Sequence, residues 1–142
     1  MNSQKNKKKN NYKSLSHCKY LCQYHIIWCP KYRFDVLNNN IITELEKIFN
    51  EIASKYDYQI IEQQIMEDHI HLFVSVKPTT SPIEIIRIFK SISAIQLFAK
   101  IPELKNFYSK CGSLWSKGYF ISTIGIVGQE TIIKYIQEQK SL

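Results

Sequence analysis

No apolar stretch in this 142-residue chain approaches the ~20 residues that a membrane-spanning helix needs. The N-terminus, MNSQKNKKKNNYK, is basic and polar with no apolar segment behind it, so it does not read as a secretory signal. There is no internal repeat and no Pro/Gly-rich linker, which argues against a division into separate domains. The four cysteines, Cys18, Cys22, Cys29 and Cys111, do not form the paired CxxC knuckles of a structural zinc site. A chain of this length can build a core without disulfide staples. The cysteines therefore read as reduced, partly buried thiols, and a cytoplasmic location follows as an expectation.

What is present is a globular composition, 44% apolar, with a net charge of +7 and a pI near 9.2. That basic balance points to a polyanionic partner, either nucleic acid or an anionic membrane surface. The positive charge is densest at the N-terminus, where residues 1–16 read as a basic, disordered tail ahead of a single domain over 17–142.

Hydrophobic periodicity organises that domain. The aromatic and β-branched run from Cys18 to Trp28 reads as a strand ended by Pro30. Asn38-Asn39-Asn40 offers caps for a helix carrying Ile41, Leu45, Ile48, Phe49 and Ile52 at helical spacing. Tyr58–Met66 and His69–Val76 read as an antiparallel hairpin with a short link at Glu67-Asp68. Ser81 and Pro82 open a second helix to about Ala99, with Ile85, Ile86, Phe89, Ile92, Ile95 and Leu97 as its apolar stripe. Tyr119–Ile124 reads as a fourth strand, Gly125 and Gly128 bracket a break, and Glu130–Gln139 reads as a final helix. The order β-α-β-β-α-β-α predicts an α+β fold of the ferredoxin-like, split βαβ kind. This is a four-stranded antiparallel sheet with two helices on one face, plus a C-terminal helix. Strand alternation sends Ile70, Leu72, Val74 and Val76 to the helices and His69, His71, Phe73 and Ser75 to an open face.

Two imidazoles at i and i+2 on a strand stand side by side, and such a pair is either polar surface or two arms of a metal site. Two ligands alone are too few for a catalytic metal. Near the C-terminus, Tyr135 and Gln139 are four residues apart and share one helix face. In isolation they read as a packing residue and a solvated amide.

Taken together, YHIIWCPKYR (24–33), MEDHIHLFVSV (66–76), GSLWSKGYFISTIG (112–125) and ETIIKYIQEQ (130–139) resemble, in order and spacing, the single-tyrosine HUH transposases of small insertion sequences. The likeness to this two-hundred/six-hundred-and-five family spans about Tyr20 to Gln139. It departs at Glu67, where a proline is usual, and at Lys117-Gly118, where Pro-Ser is usual. The resemblance implies that His69 and His71 are the histidine–hydrophobe–histidine metal ligands, that Gln139 is a further ligand, and that Tyr135, on the C-terminal helix, is the nucleophile. It implies cleavage and rejoining of single-stranded DNA at hairpin-marked element ends through a 5′-phosphotyrosine, aided by Mg²⁺ or Mn²⁺. It also implies a homodimer whose active sites are shared between subunits. With the basic charge, it makes Lys31, Arg33, Arg87 and Lys90 candidates for DNA backbone contacts, and Tyr32, Phe34 and Trp115 candidates for stacking on unpaired bases.

Three other readings compete. A ferredoxin-like sheet with aromatics and positive charge also suits an RNA-binding module, but the aromatic signature of that module is absent. A replication initiator or relaxase would use the same chemistry in a larger chain. A domesticated relative that processes chromosomal palindromes would share every motif.

Overall fold

The computed structural model describes residues 12–123, together with Ile133 and Gln137. Its first feature is a small hairpin, β1 (Lys13–Leu15) paired antiparallel with β2 (Cys18–Tyr20). The hairpin takes in residues 13–16, which the composition had assigned to the tail. Backbone pairing stabilises this short segment although its side chains are mostly exposed.

The predicted strand Cys18–Trp28 is divided, Cys18–Tyr20 going to this hairpin, and the domain proper then follows the predicted order. β3 (Cys22–Trp28) leads to α1 (Asn39–Tyr56), then the hairpin β4 (Gln59–Ile65) and β5 (Ile70–Val76), then α2 (Pro82–Lys100) and β6 (Phe120–Thr123). A short helix, α3 (Pro102–Phe107), follows α2 in a stretch for which no element was predicted. The sheet order is β4-β5-β3-β6, every pair antiparallel, which is the ferredoxin-like arrangement with β3 and β5 at its centre. The final predicted helix lies largely outside the described residues, as do Gly125 and Gly128. Ile133 and Gln137 within it are helical.

Local chemistry sets the helix boundaries. Asn38 Oδ1 accepts from the Ile41 amide at 3.1 Å, and Asp57 closes α1 in the left-handed region at φ 58°. Ser81 Oγ accepts from the Glu84 amide at 3.2 Å, and Pro82 takes the first turn of α2, where its missing N–H is not needed.

Both helices lie on the face bearing Ile26, Trp28, Ile70, Leu72, Val74 and Val76, which join Leu45, Phe49, Ile85 and Phe89 in one core. Trp28, Phe49 and Phe89 meet edge to face with centroids 5.5–5.7 Å apart. Each fully buried side chain of this size contributes about 1.5–3 kcal/mol. The stripe of α2 runs Ile85, Phe89, Ser93, Leu97 at intervals of four. Ile95, assigned to that stripe from sequence, is instead 71% exposed, because it stands two residues, about 200°, around the helix from Ser93.

Candidate active site

The second face of the sheet was expected to be open, and here the structure corrects the sequence. Among the described residues, Gln23, His25, Gln64, His71 and Ser75 are buried polar residues on this face, leaving Ser93 as the buried polar residue elsewhere. Phe73 is also buried there and packs against Ile61 and Ile133. Ile133, in helical conformation, therefore covers part of the face. Buried polar side chains in such number need partners, and their concentration on one face marks it as the chemical side of the molecule.

His69 lies just before β5, and His71 within it, with ring centroids 5.0 Å apart and near-perpendicular planes. His71 is 3% exposed and His69 is partly buried. Each ring is held through Nδ1. His69 Nδ1 lies 2.6 Å from Asp68 Oδ1, and Arg33 Nε donates to Asp68 Oδ2 at 3.1 Å. Burial pushes the Asp68 carboxyl up, but its hydrogen bonds and charge interactions with His69 and Arg33 outweigh this and hold it below its ordinary value. An ionised carboxylate can only accept, so the proton of that bond sits on His69 Nδ1. His71 Nδ1 lies 3.1 Å from His25 Nε2, with the two rings nearly parallel. Burial, with the neighbouring His69 and His25, lowers the His71 pKa to about 4, and burial lowers that of His25. His71 is therefore neutral at physiological pH, as a metal ligand must be.

Sequence reasoning missed His25 and gave Asp68 no role. Both stood in the motifs quoted above. Gln23 and His25 alternate with Tyr24, Ile26 and Trp28 on a central strand, and that polar alternation was the available signal. Register then places His25 opposite Phe73 and diagonal to His71.

A cavity of about 360 Å³ opens at these histidines, lined by Ile27, Cys29, Arg33, His69, His71 and Tyr119 among others. Its rim is tightly tied. Lys31 N donates to Leu114 O at 2.7 Å, Ser116 N to Cys29 O at 3.0 Å, and Tyr108 Oη to Lys31 O at 3.1 Å. Within this clamp Tyr32 and Arg33 adopt φ of 63° and 54°, left-handed conformations that non-glycine residues rarely hold. The strained turn sets Tyr32 63% exposed, in ring contact with exposed Phe34, while Arg33 reaches Asp68.

The other DNA candidates separate. Trp115 is a core residue. It is 6% exposed, edge-on to Trp28 at 5.9 Å, and donates Nε1–H to Ser93 Oγ at 3.0 Å, so its ring is not presented to bases. Lys90 is half-buried and donates to the Ser116 carbonyl at 2.7 Å. Its ammonium braces the loop before β6 rather than facing solvent, and burial lowers its pKa. Exposed Arg87 lines a different cavity, of about 540 Å³ along α2, whose lining among the described residues holds no histidine, cysteine or carboxylate. Arg33 remains beside the histidines, and Lys31 lies two residues before it in the same clamped turn. Tyr135 and Gln139 lie outside the described residues.

The four cysteines are free, with Cys18 and Cys111 exposed rather than partly buried. No helix among the described residues is long and apolar enough to cross a membrane. Among those residues no cluster of three or more His, Cys, Asp or Glu side chains is placed to hold a metal.

The sheet order and the two-helix layer define an α+β protein of ferredoxin-like architecture, with its polar groups gathered on the sheet face opposite the helices. The chain belongs to the family described as "Transposase IS200 like", whose profile matches residues 18–139. It is 34% identical over 120 residues to the ISDra2 transposase TnpA of Deinococcus radiodurans, covering 84% of this chain and 85% of that one. It is 28% identical to the transposase for insertion sequence element IS200 of Salmonella typhimurium, covering 80% and 74%. A crystal structure of a candidate transposase from D. radiodurans superposes with a TM-score of 0.74 at 28% identity, covering 89% of this chain and 97% of that one. A REP-associated tyrosine transposase bound to a REP hairpin shares the fold, with a TM-score of 0.57 at 13% identity, covering 87% and 70%.

Proposed function

We propose that the protein is a metal-dependent, single-strand DNA endonuclease and strand transferase. It would cut and rejoin hairpin-marked ends of a mobile element through a 5′-phosphotyrosine at Tyr135. The observation that carries this reading is the His69–His71 pair. The two rings lie side by side at a cavity, and each has its Nδ1 engaged by a separate partner. Ligation then falls to Nε2 on both rings. A ligating histidine commonly binds a carboxylate or another acceptor through its second nitrogen, and Asp68 supplies that arrangement for His69.

The donor set fits a divalent cation that accepts imidazole. Mn²⁺ suits it better than oxygen-preferring Mg²⁺, although Mg²⁺ remains a candidate cellular ion. His69 and His71 would hold it, with Gln139 as a further ligand from the C-terminal segment. Once bound, the ion supplies positive charge to polarise a phosphate oxygen. Neutral ligands leave that charge undiminished.

The chain's own groups do the rest. The Tyr135 oxygen bonds to phosphorus as the bond to the 3′-oxygen breaks. The phenolic proton is released and the departing oxygen takes one up, so the step is balanced in protons. The phosphodiester bond energy is kept in the tyrosyl ester, and attack by another 3′-OH reverses the step without ATP. Arg33 at the cavity, with Lys31 two residues before it, is suited to backbone phosphates. Exposed Tyr32 and Phe34 are suited to unpaired bases.

We further propose a homodimer in which the histidines of one subunit work with the tyrosine of the other. The few residues that the sequence leaves between β6 and the predicted last helix support that reading, as does the family likeness. The contact of Ile133 with Phe73 of its own chain makes a site within one subunit the competing arrangement.

The test is to incubate the protein with labelled single-stranded DNA carrying a hairpin, with Mg²⁺ or Mn²⁺, and run a denaturing gel. The expected result is a covalent adduct, located at Tyr135 by mass spectrometry and lost in Tyr135→Phe. An adduct on another tyrosine, or none with intact hairpin binding, would overturn the proposal.

A further inference from the structure

His25 is the partner of His71 Nδ1 but neither a ligand nor a reacting group in the chemistry above; it is a buried imidazole on the central strand whose Nε2 is 3.1 Å from that nitrogen. β3 holds it between β5 and β6, opposite Phe73 on one side and Ser122 on the other. The Phe120 ring stands at a steep angle to it with centroids 6.4 Å apart, and its own ring lies 14° from the plane of His71. A side chain packed this closely has little rotameric freedom, so the nitrogen it offers His71 is set by the fold.

We infer that His25 is a positioning residue: it accepts the Nδ1–H of His71, fixes that tautomer, and so keeps the lone pair of His71 on Nε2 for a cation. The inference rests on the metal reading above, but its first half concerns the protein before any metal binds. The logic is proton counting. Two neutral imidazoles joined nitrogen to nitrogen share one hydrogen between them. If His25 donated it, His71 Nδ1 would be the acceptor and the ring's own proton would occupy Nε2, closing that nitrogen to a metal. If His71 donates, Nε2 carries a lone pair. Only the second arrangement serves ligation, and it requires His25 to carry its proton on Nδ1. His69 reaches the same tautomer through the ionised Asp68, which can only accept. The two histidines of one motif are thus oriented by different devices, an anionic carboxylate and a neutral ring.

The experiment uses the full chain at pH 8. Long-range ¹H–¹⁵N spectra of the imidazole rings, without metal, should place the His71 proton on Nδ1 in the wild type. His25→Phe keeps a ring in the same space and removes the acceptor, and should move that proton to Nε2. In parallel, Mn²⁺ binding is read from the electron-paramagnetic-resonance signal of the free ion. His25→Phe should weaken it about 10- to 100-fold. His25→Gln, whose amide oxygen can accept the same hydrogen, should recover most of the loss. Circular dichroism establishes that each variant is folded.

A wild-type His71 proton on Nε2 would overturn the inference, whether or not His25→Phe folds. So would Mn²⁺ affinity unchanged in a folded His25→Phe. An Nδ1 proton on His71 in a wild-type protein that binds no Mn²⁺ would sustain the tautomer assignment and reject the metal reading instead.

Discussion

Asp68 Oδ1 and His69 Nδ1 are 2.6 Å apart, and the other oxygen of the same carboxylate receives Arg33. One side chain therefore orients a candidate metal ligand and anchors the strained turn at the cavity rim. Asp68→Asn keeps the shape but removes the charge that fixes His69. We expect Mn²⁺ affinity to fall roughly 10- to 100-fold, with the fold retained. Calorimetric titration beside a thermal melt checks this, and unaltered affinity would remove Asp68 from the site.

His69→Ala and His71→Ala should each abolish cleavage while leaving hairpin binding largely intact, because the residues proposed for phosphate contacts, Lys31 and Arg33, are kept in both variants. Mobility-shift and cleavage assays on the same preparations decide it. Full cleavage by either variant would dispose of the metal site.

Complementation separates the two subunit arrangements. His69→Ala protein mixed with Tyr135→Phe protein, after subunit exchange, should regain partial cleavage if sites are shared, because one composite site keeps every group. With sites built within one subunit, each chain carries a lesion and activity stays absent. Exchange is followed independently by mass-tagged subunits.

Ser93 is the acceptor for the buried indole of Trp115. Ser93→Ala strands that N–H in the core, at a cost of about 1–3 kcal/mol. Urea unfolding at pH 7 should show the loss, while DNA binding by the remaining folded protein is unchanged. An equal loss of DNA affinity would return Trp115 to the binding surface.

Tyr108 is buried, and burial, with Cys111 and Cys29 nearby, raises its phenol to about 12. An unfolded tyrosine ionises near pH ~10. Between these values the unfolded chain has lost a proton that the folded chain keeps, so stability falls as pH rises through this window. The loss is on the order of 1–2 kcal/mol. Tyr108→Phe should remove that part of the alkaline loss and, at neutral pH, lose about 1 kcal/mol with the bond to Lys31 O. Denaturant midpoints at pH 7, 9, 10 and 11 measure both effects. A Tyr108→Phe profile parallel to wild type above pH 10 would refute the assignment.

The fold was legible where local chemistry dictates it. Asn38 and Ser81 cap as their side chains require, Pro82 opens α2, and Ile70, Leu72, Val74 and Val76 face the helices as strand alternation demands. Periodicity was less discriminating along α2. An apolar Ile95 reads like its neighbours, and a serine reads as surface, until the Trp115 indole supplies the reason for Ser93 to be buried. Trp115 and Lys90 were ambiguous for the same reason. An aromatic ring or an ammonium suits nucleic acid, but nothing local to either residue reveals whether the fold has already engaged it.

By itself, the sequence determined the order of the four sheet strands and the two long helices, the strand face that carries His71, and the motifs by which the chain belongs to the IS200-like transposases. Those properties follow from side-chain period and residue type over short spans, which a linear reading can follow. Only the tertiary structure decided which groups His69 and His71 lean on. His25 is 46 positions from His71, and Arg33 is 35 from Asp68. The antiparallel register of β3 on β5 and the left-handed turn at Tyr32-Arg33 bring these distant residues within hydrogen-bonding distance. Hydrogen bonds act over about 3 Å whatever the sequence separation, so partners this far apart become visible only when the sheet has formed.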